Sequence, residues 1–92
     1  MSYEIAYTKE AGKAIEKLRK SGSIQLREKL NDLLNEMREH PETGTGRPER
    51  LRYYTKPTWS RRLSGQHRIV YEIQDNVLIV LVLDIMGHYE DK

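Results

Sequence analysis

Between residues 8 and 39 the apolar positions recur every third or fourth residue, and from residue 59 to 86 they alternate or run together. The first pattern predicts helices and the second strands. Residues 3–7 read as a short first strand, with Tyr3, Ile5 and Tyr7 on one face. Thr8 is a suitable N-cap for a helix reaching about residue 20, on which Ala11, Ala14, Ile15 and Leu18 form one stripe. Ser21-Gly22-Ser23 breaks that helix and can cap the next. The second helix, about residues 24–39, carries Leu26, Leu30, Leu33, Leu34 and Met37 on one face. His40-Pro41 closes it, because Pro disfavours helical geometry in the residue before it. A Gly- and Pro-bearing loop covers residues 41–48. Strands are expected at 51–54, 59–63, 67–73 and 77–86, with turns at Ser64-Gly65 and Asp75-Asn76. The last strand is apolar on both parities, as a central strand buried on both faces would be.

The order βααββββ predicts an α+β fold, with the helical hairpin on one face of a twisted antiparallel sheet. The other face is left to carry polar chemistry. Ninety-two residues are expected to make one domain, 1–92. There is no cysteine, so disulfides and thiolate metal sites are excluded. The N-terminus has no basic region followed by an apolar run, so no signal peptide is expected. The longest apolar run, residues 77–83, is too short to cross a bilayer. A cytoplasmic protein with no membrane partner is the expectation.

Charge changes this picture through its distribution. Residues 45–71 hold seven basic side chains and one acid, Glu49, giving +6. The remainder holds nine bases and thirteen acids, giving −4 and a net charge of +2. The basic stretch also contains the only Trp, together with Tyr53, Tyr54 and Tyr71. A basic, aromatic segment in an otherwise acidic chain points to a polyanion, with RNA first.

Strand parity assigns directions. In the 67–73 strand, Arg68, Val70 and Glu72 share a face opposite His67, Ile69, Tyr71 and Ile73. In the preceding strand, Arg62 lies opposite Trp59, Arg61 and Leu63. Arg62 and Arg68 can therefore share the open face. His88 and Tyr89 follow the last strand directly. These are parts for RNA cleavage without a metal or other cofactor. The ribose 2′-OH is the nucleophile. It needs a base, an acid for the leaving 5′-oxygen, and cations for the charge building on phosphorus. Glu49 is the candidate base, His88 the acid, and Arg68 and Arg62 the phosphate clamps, with Tyr89 orienting the phosphate or a base. Arg61, Arg62 and Trp59 are candidate RNA contacts, Trp59 by stacking. Residue types alone do not single out this site, since any small basic protein contains a Glu, a His and several Arg. The lone Glu also reads as a solvated loop charge, Arg61-Arg62 as edge decoration against aggregation, and Trp59 as core. His40, His67 and His88 are far apart and no HExxH motif is present, so no metal site is expected.

The words GTGRPERL, WSRRLSGQHRIVYEI and GHY, in this order and spacing, resemble the Txe/YoeB family of toxins within the RelE superfamily of ribosome-dependent mRNA interferases. The resemblance covers nearly the whole chain. It implies a RelE-like fold and an enzyme that cleaves mRNA in the ribosomal A site by metal-independent 2′-OH attack. It implies an antitoxin of the YefM/Axe kind as partner, a homodimer in some members, and contact with operator DNA only through the antitoxin complex. By position, the family's base matches Glu49, its phosphate-binding arginine Arg68, its general acid His88 and the following aromatic Tyr89. A second family arginine matches Arg62, and a basic position after the PE pair matches Arg52, which the resemblance makes a further RNA contact. The chain departs from many members in continuing past His88-Tyr89 with Glu90-Asp91-Lys92, and in carrying Gln66 where some have an acid. The alternative is a non-catalytic RNA- or ribosome-binding protein that blocks translation. It would share the basic face and need neither Glu49 nor His88.

Overall fold

Local capping sets the N-terminal half. The computed structural model describes residues 2–87. Strand β1 (Glu4–Tyr7) leads into helix α1 (Lys9–Ser21), where the Thr8 hydroxyl accepts from the Ala11 amide at 3.1 Å. Helix α2 (Ile24–Glu39) starts in the same way, with Ser23 Oγ accepting from the Leu26 amide. The strands that follow are β2 (Glu49–Arg50), β3 (Thr58–Arg62), β4 (His67–Gln74) and β5 (Ile79–Gly87). The expected order βααββββ is the order found.

The five strands form one sheet in the order β1-β5-β4-β3-β2. Every neighbouring pair is antiparallel except β1, which lies parallel to β5, so the sheet is mixed at that edge. One face of the sheet meets the helices. Ala11 and Ile15 of α1 and Leu30, Leu33, Leu34 and Met37 of α2 pack there against Leu63, Ile69, Tyr71, Ile73, Val80, Val82 and Ile85. Burying these side chains is the main favourable term for a chain of this size, at about 25 cal/mol per Å² of apolar surface.

Three sequence expectations need correction. The strand expected at 51–54 is instead the two-residue β2, one step earlier, and residues 51–57 form a loop. So short an edge strand has no periodicity to read. The turn expected at Asp75-Asn76 extends over four residues, 75–78, and its positive φ, 56°, falls on Leu78. Strand β5 is central but fully buried on one face only. Its core residues Val80, Val82 and Ile85 are spaced two and then three apart, because the register against β4 shifts between Val70 and Tyr71. That bulge brings Ile85 rather than Asp84 to the core face, while Leu81 and Leu83 are the apolar residues of the opposite face. Leu81 and Leu83 are half-buried and Met86 is exposed.

Candidate functional site

Residues paired directly across a sheet point to the same side. Glu49 pairs with Ser60, and Ser60 with Val70. Arg62 pairs with Arg68 in the adjoining row. All five side chains therefore rise from the face away from the helices. The loop before β2 bends over this face through three residues of positive φ, Gly44 at 108°, Gly46 at 91° and Arg47 at 54°. It is drawn against β3, where the Arg62 amide donates to the Gly46 carbonyl at 2.7 Å.

The result is a polar cleft of about 410 Å³ lined by Gly46, Arg47, Pro48, Glu49, Arg62 and Arg68. It carries three guanidiniums and one carboxylate. Arg62 and Arg47 are exposed, Arg68 is half-buried, and Arg68 Nη1 donates to Ser60 Oγ at 3.2 Å. Two arginines directly opposite each other repel. An anion between them would relieve that repulsion, and guanidinium forks suit the oxygens of a phosphate. The Glu49 carboxylate at the same wall is a proton acceptor that the site does not need for binding. The cleft can therefore hold a phosphate diester beside a potential base. A second groove, about 460 Å³, follows α2 and is lined by Glu28, Asp32 and Glu36 with Lys29. Its charge is wrong for a polyanion.

The structure brings Arg62 and Arg68 together as parity required, and Glu49 of β2 joins them. It turns Arg61 away. That side chain, expected as an RNA contact, is 0% exposed on the helix side. Its Nη1 donates to Glu36 Oε1 at 3.1 Å, and Nη2 donates to the carbonyls of His40 and Thr43, both at 2.8 Å. The guanidinium also lies 5.8 Å from the centre of the Tyr71 ring. With its charge spent inside the protein, Arg61 cannot reach a ligand on the open face. Trp59 also lies on the helix side, paired with Tyr71 and packed against the core, so it does not stack in the cleft. Arg52 is exposed in the loop after β2 and does not line the cleft. His88 and Tyr89 lie outside the described residues. The last described residue, Gly87, pairs with His67, and its neighbour Met86 pairs with Arg68.

Two features were missed from the sequence. Arg47 joins the cleft through its positive φ, which nothing in its residue type signals. Glu36 lies 25 residues from Arg61, and it also accepts from the Thr45 amide and hydroxyl. Arg61 and Glu36 together tie the end of α2 and the 43–48 loop to β3. The parity of Arg61 with Trp59 and Leu63 was the available signal that it faces inward.

A model of the YoeB-like toxins of bacterial type II toxin–antitoxin systems matches residues 8–89. Toxin YoeB of Escherichia coli (strain K12) is 38% identical over 52 residues, which are 56% of this chain and 62% of that protein. The match thus spans about three-fifths of that relative's length. Among solved structures, a YoeB/ParE toxin from Agrobacterium tumefaciens superposes with a TM-score of 0.84 and 28% identity, over 94% of this chain and 99% of that one. A chain of the YoeB–YefM complex from Staphylococcus aureus gives 0.78 and 26%, over 97% and 100%.

Proposed function

The chain belongs to the YoeB-like toxins of bacterial type II toxin–antitoxin systems, and from that premise we propose that it is an endoribonuclease that cuts mRNA in the ribosomal A site. The observation that carries this reading is the meeting of Glu49, Arg62 and Arg68 in one cleft on the open face. The Glu49 carboxylate takes the proton of a ribose 2′-OH. The 2′-oxygen attacks the adjacent phosphorus, and Arg62 and Arg68 hold the charge that accumulates on the phosphoryl oxygens. His88 gives its proton to the 5′-oxygen as the P–O bond breaks, and Tyr89 orients the phosphate. The products are a 2′,3′-cyclic phosphate and a 5′-hydroxyl. No step requires a metal or a cofactor.

A cognate antitoxin neutralises the toxin in this reading, and the S. aureus YoeB–YefM complex supports a partner of the YefM kind. Operator DNA is met only through that complex, a homodimer is a further assembly the resemblance implies, and the working compartment is the cytoplasm. Among the described residues, no helix is long and apolar enough to cross a membrane.

The test is to map RNA 5′ ends in cells expressing the chain or its Glu49→Gln variant. Cuts inside translated codons are expected, reduced about 10²- to 10⁴-fold in the variant, the usual range for a general base. Arrested translation over intact mRNA, with Glu49→Gln equally toxic, would replace this reading with the non-catalytic translation inhibitor.

A further inference from the structure

The loop joining β2 to β3 is the most exposed aromatic feature of the described chain. Tyr53 is 96% exposed and Tyr54 is 49% exposed. Arg50, Arg52 and Lys56 around them are exposed too, and residues 50–57 contain no acid. The base of the loop is fixed. The Leu51 amide donates to the Thr58 carbonyl at 2.8 Å, Thr58 Oγ1 donates to the Lys56 carbonyl at 3.0 Å, and the Ile73 amide donates to the Pro57 carbonyl at 3.0 Å. The two phenols are thus held out by a stiff stem, and neither makes a side-chain hydrogen bond within the described residues.

One exposed Tyr needs no explanation. Two in succession, among three cations, on the strand-loop that carries Glu49, do. A tyrosine buries 150–250 Å² when covered, with only two side-chain torsions to fix, and nucleobases stack on such faces whatever their identity. Tyr53 is four residues from Glu49, at most about 14 Å along the chain. A strand with one phosphate in the cleft therefore has a neighbouring base within reach of the loop.

We propose that Tyr53 and Tyr54 form a stacking platform for a base of the same single-stranded RNA whose phosphate occupies the cleft, with Arg52 and Lys56 holding its backbone. This rests on the RNA reading of the cleft. An acidic peptide would satisfy the cations but would not depend on a nucleobase.

The experiment measures binding of a short 2′-O-methyl RNA, which cannot attack its own phosphate, by fluorescence anisotropy at fixed salt. Tyr53→Ala with Tyr54→Ala is expected to weaken binding about five- to hundredfold, the worth of one stacked base. Tyr53→Phe with Tyr54→Phe keeps wild-type affinity, because the ring face remains. Placing an abasic residue at successive positions finds one at which the wild type binds as weakly as the Ala variant, and the two losses do not add. Circular dichroism confirms that both exposed variants are folded. Full affinity in the Ala variant, with loss in Arg62→Gln and Arg68→Gln, overturns the platform and leaves the cleft reading standing. Binding that is unchanged in both sets, or absent in the wild type, overturns the platform and RNA occupancy of the cleft together. A loss in the Ala variant that is equal for abasic and intact RNA overturns stacking in favour of backbone or peptide recognition.

Discussion

Arg61 and Arg62 are adjacent in sequence and serve opposite ends. Strand alternation sends Arg61 to the helix side, where Glu36, two backbone carbonyls and an aromatic face surround it. It sends Arg62 to the open side, opposite Arg68 and beside Glu49. Burying a guanidinium is costly, and an ion pair with added hydrogen bonds offsets that cost. Placing two guanidiniums face to face at the surface is also unfavourable, and an anionic ligand between them would offset it. A basic stretch is therefore not a basic surface. Counting seven cations over residues 45–71 overstated the open face by at least the one charge that the interior consumes.

If the division is right, the open-face arginines govern activity and the buried one governs stability. The largest effect is expected for Arg68→Gln. Cleavage of a translated reporter mRNA should fall about a hundredfold or more, as when one preorganised donor to a developing anion is lost. Its melting temperature should stay close to wild type. Wild-type cleavage by this variant would remove Arg68 from the chemistry. Loss of both activity and folding would erase the contrast with Arg61.

Arg61→Ala is the converse. It removes the Arg61 donor from the carbonyls of His40 and Thr43 and takes the charged partner from Glu36, which keeps only its Thr45 donors. Breaking a buried pair in this way costs about 3–5 kcal/mol. For a domain of this length, a fall in Tm of more than about 12 °C follows. Urea denaturation measures the loss directly. Arg61→Lys keeps the charge but lacks the planar fork that spans three acceptors, so it should fall between. A variant without Arg61 that melts with the wild type would mean that the cluster contributes nothing.

What could be read from the sequence was what is encoded locally. Thr8 and Ser23 announced the helix starts, and the apolar stripes gave the packed faces. Parity in β3 and β4 placed Arg62 and Arg68 together. Glu49 joined them through the resemblance rather than through any strand signal, since β2 is two residues long. Pairings between distant segments were out of reach. Nothing local indicates that β1 lies parallel to β5, that the ladder shifts between Val70 and Tyr71, or that Glu36 waits for Arg61. Parity places Arg61 on the inner side, but the groups that take up its charge come from residues 36–43, which parity in β3 does not reach.

Gly46 couples the two regions and should show an intermediate effect. It lines the cleft, and a Cβ there would lie 2.6 Å from both Arg61 Cγ and the Arg62 carbonyl oxygen, on a backbone with φ of 91°. Gly46→Ala should cost about 1–3 kcal/mol and should lower cleavage along with stability, because the loop and β3 must separate. Gly65→Ala, where a Cβ meets nothing within 4 Å, is the control. Equal behaviour of the two variants in thermal melts would show that the loop does not press on β3.

The smallest effect tests the helix side through pH. The Tyr71 hydroxyl donates to the Pro41 carbonyl at 2.7 Å. Burial pushes its pKa above the usual value, and the nearby Arg61 guanidinium partly offsets this. The folded state therefore keeps the phenol proton at a pH where the unfolded chain, with a tyrosine pKa near 10, has begun to lose it. The stability this provides is fully present below about pH 10 and falls as pH rises through the raised folded value. Tyr71→Phe should cost about 1 kcal/mol near neutrality, the net worth of one hydrogen bond. It should also flatten the alkaline fall in stability. Tyr3, raised chiefly by its hydrogen bond to Asp75, acts with the same sign, so Tyr3→Phe is measured alongside. Urea midpoints at neutral pH and above pH 10 give the slopes. If the alkaline slope of Tyr71→Phe matches the wild type, the Tyr71 phenol is not held neutral beside Arg61, and the sealed character of that side of the sheet is lost from the comparison.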